Sequence, residues 1–66
     1  MKLTVNGTAQ QIVACDLAAA LVELGYGPDA RVATAINETF VPAGQRARHA
    51  LSDGDRLEIL APRQGG

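Results

Sequence analysis

The sequence predicts an α+β domain: a mixed sheet of about five strands packed on one main helix, followed by a flexible C-terminal tail. Three observations carry this. Met1, Leu3 and Val5 alternate with Lys2 and Thr4, the period of a half-buried strand, and run straight into Asn6-Gly7. Leu17, Ala20, Leu21 and Leu24 recur at helical spacing and form one apolar stripe. Leu57, Ile59 and Ala61 alternate with Glu58 and Leu60 near the C-terminus.

Each element follows in chain order. Asn6-Gly7 is a strong hairpin signal, because both residues of the tight turn take positive φ. A second strand, antiparallel to the first, is expected from about Thr8 to Ala14. Asp16 suits a helix N-cap, since its carboxylate can accept from free first-turn N–H groups and sits at the positive end of the dipole. Ala19 supplies no capping-box partner. Gly25 provides the left-handed stop, and Gly27-Pro28 blocks continuation. Arg31 to Asn37 reads as a third strand, with Val32, Thr34 and Ile36 on one face and Ala33 and Ala35 on the other. Apolar residues on both faces suggest burial on both sides or a side that faces a partner. Asn37-Glu38 turns the chain into a short strand at Phe40-Val41, which Pro42 ends. Ala43 to Leu51 suits a short helix or an irregular crossing. Ser52-Asp53-Gly54-Asp55 is a turn cluster, and Arg56 to Ala61 is the last strand. The long crossover before it allows that strand to lie parallel beside the first.

Composition excludes several function classes. Sixty-six residues make one small domain, in which the core is marginal. Cys15 is the only cysteine, so no disulfide can staple the chain, and a reducing compartment fits. No run approaches the roughly 20 apolar residues of a membrane span. No secretory signal precedes the first strand pattern, and a soluble cytoplasmic protein is expected. The formal net charge of −1 lacks the basic footprint of a nucleic-acid binder. Tyr26 and Phe40 are the only aromatic residues, too few for a base-stacking platform.

The pattern stops after Ala61. Pro62 breaks the strand, and Arg63, Gln64, Gly65 and Gly66 offer no apolar side chain to bury. The folded domain is therefore expected over residues 1–61 and a flexible Gly-Gly tail over 62–66. Without Cβ atoms, terminal glycines can thread a slot too narrow for ordinary side chains. A main-chain carboxylate delivered in this way needs activation. ATP can convert it to an acyl-adenylate, and a sulfur nucleophile can displace AMP to leave a thiocarboxylate. No side chain of this chain is required for that chemistry. Terminal small residues are common in themselves. The signal becomes specific only where they directly follow the last strand of a compact domain.

In this order and at this length, the marks resemble the ThiS family of sulfur carriers over essentially all 66 residues. They are the Asn6-Gly7 hairpin, the Leu17/Leu21/Leu24 helix ending at Gly25, Val32-Ala33-Thr34-Ala35-Ile36-Asn37 followed by Val41-Pro42, the Leu51-Ser52-Asp53-Gly54-Asp55-Arg56-Leu57 turn, and Gly65-Gly66. The resemblance implies a ubiquitin-like β-grasp fold. It also implies a carrier in thiamine thiazole synthesis that acts as a co-substrate rather than an enzyme. On this reading a ubiquitin-activating-type adenylyltransferase uses ATP and Mg²⁺ to adenylate Gly66. Sulfur comes from a donor such as a cysteine desulfurase, and thiazole synthase receives it. The chain itself binds no cofactor or metal, contacts no nucleic acid or membrane, and is a monomer when free. Two positions depart from the family pattern: Asp16 stands where a Thr is common, and Asn37-Glu38 where Asn-Gly is common. Three alternatives stay open. The chain is a protein modifier that passes Gly66 to a lysine as an isopeptide, a carrier for another pathway such as molybdopterin, or an interaction module with a passive tail.

Side chains outside the tail offer fewer candidates. Leu60 lies out of phase with Leu57 and Ile59 and is a candidate for docking the activating enzyme; Phe40 is a second. Arg63 can steer the tail into an anionic channel or simply stay solvated. Cys15 can be read as a persulfide relay, which needs an exposed thiol, or as a semi-buried small residue at a strand–helix junction. His49 has no partner at metal-ligand spacing and reads as a surface residue, as does Lys2 on the solvent face of the first strand.

Overall fold

The computed structural model describes residues 1–27 and 30–61. Strands β1 (Lys2–Val5) and β2 (Thr8–Gln11) form the expected antiparallel hairpin, with Val5 opposite Thr8. Asn6 and Gly7 take φ of 49° and 85°, the left-handed pair that a two-residue turn of this hand requires. Helix α1 (Leu17–Glu23) follows. Asp16 has extended backbone, and its carboxylate accepts from the Ala19 N–H at 2.8 Å. At the other end the Tyr26 N–H donates to the Leu21 carbonyl at 2.8 Å and the Gly25 N–H to Val22 at 3.0 Å. With Gly25 at φ 100°, this is a Schellman stop.

Strands β3 (Ala33–Ile36) and β4 (Thr39–Val41) form a second tight hairpin across Asn37-Glu38. A 3-10 helix over Ala43–Arg48 makes the crossing, and Ser52 to Asp55 turn the chain into β5 (Arg56–Leu60). The sheet order is β2-β1-β5-β3-β4, with β5 parallel to β1 and antiparallel to β3. Helix α1 and the 3-10 helix cover one face. The element order is the one the sequence pattern predicts, and the strand pairing is the β-grasp arrangement that the family resemblance implies.

The core lies between the two layers. Leu3, Val5, Ile36, Val41, Leu57 and Ile59 of the sheet meet Leu17, Ala20 and Leu21 of α1, and Ile12 and Leu51 close the ends. Thr34 is the buried polar member, 1% exposed. Its hydroxyl donates to the Val41 carbonyl at 2.9 Å and accepts from Arg46 Nε at 3.0 Å, while Arg46 Nη2 donates to the Val32 carbonyl at 2.6 Å. A buried hydroxyl is thus fully engaged, and the same contacts tie the 3-10 helix to β3.

Several boundaries differ from expectation. β2 stops at Gln11, not near Ala14. Ile12 turns into the core, and the N–H groups of Val13 and Ala14 go to Glu23 instead of to β1. β3 is shorter than the Arg31 to Asn37 run, because the Val32 carbonyl is taken by Arg46 and Asn37 already occupies the turn. β5 ends at Leu60, one residue early, and Ala61 is exposed instead of sharing the buried face of Leu57 and Ile59. Its neighbour β3 begins at Ala33, whose partner is Leu60, so the ladder has no residue left for Ala61.

Candidate functional site

The tail residues Arg63, Gln64, Gly65 and Gly66, with Pro62, lie outside the described residues. The site is therefore built from what leads to the tail. β5 is the central strand, and both its edges are occupied. The β1 edge is held by Thr4 N–H to Asp55 C=O at 3.0 Å and Asn6 N–H to Leu57 C=O at 2.9 Å. Backbone pairing with β1 ends there. The Asn6 carboxamide continues it: the Ile59 N–H donates to Asn6 Oδ1 at 2.8 Å, and Asn6 Nδ2 donates to the Ile59 carbonyl at 3.1 Å. A side chain thus takes the place of a strand for one more step.

Asn37 does the same at the other end of β5. Its backbone N–H donates to the Arg56 carbonyl at 2.8 Å, its Oδ1 accepts from the Arg56 N–H at 3.0 Å, and its Nδ2 donates to Asp55 at 3.0 Å. Two asparagines, each the first residue of a tight turn, therefore grip the strand that carries the tail. Sequence reasoning assigned both to turns and missed both grips. The signal was a pair of asparagines in equivalent turns, each flanked by strands.

The sheet face away from α1 is open, and the two docking candidates meet on it. Leu60 is 70% exposed and Phe40 64% exposed. Across the ladder, Leu60 faces Ala33, while Ala35 lies between Glu58 and Phe40. The two alanines make a low floor between larger walls. The result is a shallow hollow of about 160 Å³ bounded by Asn6, Ala33, Ala35, Phe40, Glu58 and Leu60. Exposed apolar side chains around a depression with a polar margin are what an interaction surface looks like. Beside it Arg56 approaches Glu38 at 3.7 Å, an exposed pair of little energetic weight.

The remaining candidates are apart from this face. Cys15 is exposed rather than semi-buried: its backbone carbonyl, accepting from the Leu51 N–H at 2.9 Å, makes the junction, and its thiol does not. His49 is half-buried, where a surface position was expected, because its carbonyl accepts from the Leu17 N–H at 3.0 Å at the start of α1. Lys2 is exposed. Among the described residues, no three His, Cys, Asp or Glu side chains gather into a metal site, and no helix is long and apolar enough to cross a membrane. The Glu23 carboxyl is held below its ordinary value of 4.5, first by the Val13 N–H and then by that of Ala14.

Comparison with known proteins gives a consistent picture. The family model described as "ThiS family" matches residues 3–66. A crystal structure of the thiamine biosynthesis protein ThiS from Geobacter metallireducens is 25% identical, covers 100% of both chains and superposes with a TM-score of 0.83. An NMR solution structure of a thiamine biosynthesis protein from the same organism, also 25% identical, covers 100% of this chain and 88% of that one, with a TM-score of 0.79. No curated protein sequence matches.

Proposed function

The chain belongs to the ThiS family, and on that premise we propose that it carries sulfur for thiamine biosynthesis as a thiocarboxylate on Gly66. The observation that carries this reading is that the family match runs through the last residue, beyond a β5 gripped on both edges. A rigid domain can then serve as a handle, and the acid group at the chain end as its cargo site.

The steps follow from the chemistry of a carboxylate. A Gly66 oxygen attacks the α-phosphorus of ATP, and pyrophosphate leaves. Mg²⁺ and the donors that stabilise this transfer belong to the adenylating partner. A sulfur nucleophile then adds to the carbonyl carbon, and AMP departs with the electron pair of the broken C–O bond. Where the nucleophile is a persulfide, a further thiol cleaves the S–S bond and frees –C(O)S⁻. The thiocarboxylate sulfur then attacks an electrophilic carbon of the acceptor held by a thiazole synthase, and water cleaves the acyl C–S bond, leaving the sulfur on the acceptor and the carboxylate on Gly66. The chain is a co-substrate throughout, and the open face around Leu60 and Phe40 is where the adenylating partner docks.

The test is intact mass spectrometry of the full chain incubated with ATP, Mg²⁺, the adenylating enzyme and a sulfur donor. The expected mass gain is the difference between sulfur and oxygen, abolished by one residue appended after Gly66. An unchanged mass, with partners that load another family member, sinks the proposal. Larger conjugates that survive reducing agents and map to a lysine isopeptide would favour the modifier reading instead.

A further inference from the structure

We propose that Asn6 is a positioning residue for the loading reaction: its carboxamide, bonded to both backbone groups of Ile59, sets the direction in which the chain leaves the sheet and holds Leu60 at the margin of the hollow. This rests on the carrier reading above.

The geometry is local and specific. β1 and β5 run parallel, and their backbone bonds end with the Asn6 N–H on the Leu57 carbonyl at 2.9 Å. Past that point β1 has turned away into its hairpin. Ile59 would present an unpaired N–H and C=O on that edge, two residues before the described chain ends. The carboxamide meets both, at 2.8 and 3.1 Å. Its reach depends on the left-handed backbone at Asn6, φ 49°, which aims the side chain back across the sheet edge. Asn6 also borders the hollow together with Leu60. One side chain therefore fixes both the root of the tail and the apolar wall next to it.

Releasing this grip leaves the fold and the terminal carboxylate in place. It widens the range of directions in which the chain sets out at Ala61. Only part of that range suits an active site that also engages the open face. The apparent affinity then falls by the fraction of competent conformers, while the chemistry of a correctly bound chain is untouched. The effect belongs in KM rather than kcat.

The experiment compares three variants of the full chain as substrates of the adenylating enzyme, followed by pyrophosphate release. All are assayed at a temperature where circular dichroism shows each to be folded. Asn6→Gly keeps a residue suited to the turn and removes the carboxamide. Asn6→Asp keeps the acceptor for the Ile59 N–H and loses the donor. Asn37→Gly removes the matching grip at Arg56, the end of β5 away from the tail. The expected result is a KM raised roughly three- to tenfold in Asn6→Gly, the worth of such hydrogen bonds, with kcat within about twofold. Asn6→Asp recovers part of the loss, and Asn37→Gly keeps the wild-type KM although it is less stable. Hydrogen exchange at the Ile59 amide should quicken in Asn6→Gly alone. A wild-type KM in Asn6→Gly, or an equal rise in Asn37→Gly, overturns the inference and leaves the carrier reading standing. A wild-type chain that is never adenylated by a competent enzyme overturns both. If Asn6→Gly does not fold, Asn6→Asp decides by the same criteria.

Discussion

Glu23, the last residue of α1, holds the backbone of Val13, accepting its N–H at 2.9 Å, and Ala14 donates to the same carboxylate at 2.9 Å. The link closes the loop between β2 and α1, in which the Val13 side chain stays exposed. It also gives the fold an acid-sensitive contact. Hydrogen bonds to the charged form hold the Glu23 pKa below 4.5, so the folded state favours the ionised carboxylate more than the unfolded chain does. That contribution is complete above the unfolded value and is lost as pH falls through the lowered one. Urea unfolding at a series of pH values should show Glu23→Gln less stable than wild type at neutral pH, with the gap closing in acid. The gap is small, because water screens an exposed carboxylate. A gap independent of pH would show that the charge plays no part.

Glu38 occupies the second turn position between β3 and β4 at φ 72°, a conformation that suits glycine. An L-residue there costs about 1–2 kcal/mol, and part of this is regained because glycine has more freedom in the unfolded chain. The Arg56 ion pair lost with Glu38 is long and exposed and adds little. Glu38→Gly should therefore stabilise by about 0.5–1 kcal/mol, or roughly 2–8 °C in Tm. Calorimetry checks it, and a lower Tm would refute it.

Thr34→Val keeps the volume of a fully buried side chain and removes its hydroxyl. The Arg46 Nε loses its acceptor at 3.0 Å, and the Val41 carbonyl loses a donor at 2.9 Å. Leaving such groups without partners costs about 1–3 kcal/mol. Denaturant unfolding should show a lower midpoint with an unchanged m-value. Wild-type stability would mean that the contacts around Thr34 contribute nothing net.

Leu60 and Phe40 test the open face. Both side chains are mostly exposed, so Leu60→Glu and Phe40→Glu should change folding stability by no more than about 0.5 kcal/mol. Each should weaken binding to the adenylating partner about tenfold or more if it sits at the centre of the contact. Titration calorimetry with the partner gives the affinity. Unchanged Kd in both variants would remove this face from the docking surface.

Some of these features are legible along the chain and others are not. The turn at Asn6-Gly7, the Asp16 cap, the Gly25 stop and the buried phase of Leu57 and Ile59 all depend on residues a few positions apart. Backbone sterics and side-chain period decide them before any long-range contact forms. The out-of-phase position of Leu60 is legible for the same reason. The grip of Asn6 on Ile59 joins residues 53 positions apart, and the shared face of Phe40 and Leu60 exists because β3 lies between β4 and β5. The exposed thiol of Cys15 and the early end of β5 likewise follow from which segments became neighbours. A strand's own pattern says which side is apolar. Which strand lies beside it, and in what register, is settled by burying all the apolar faces at once, and that is a property of the assembled sheet rather than of any stretch of chain.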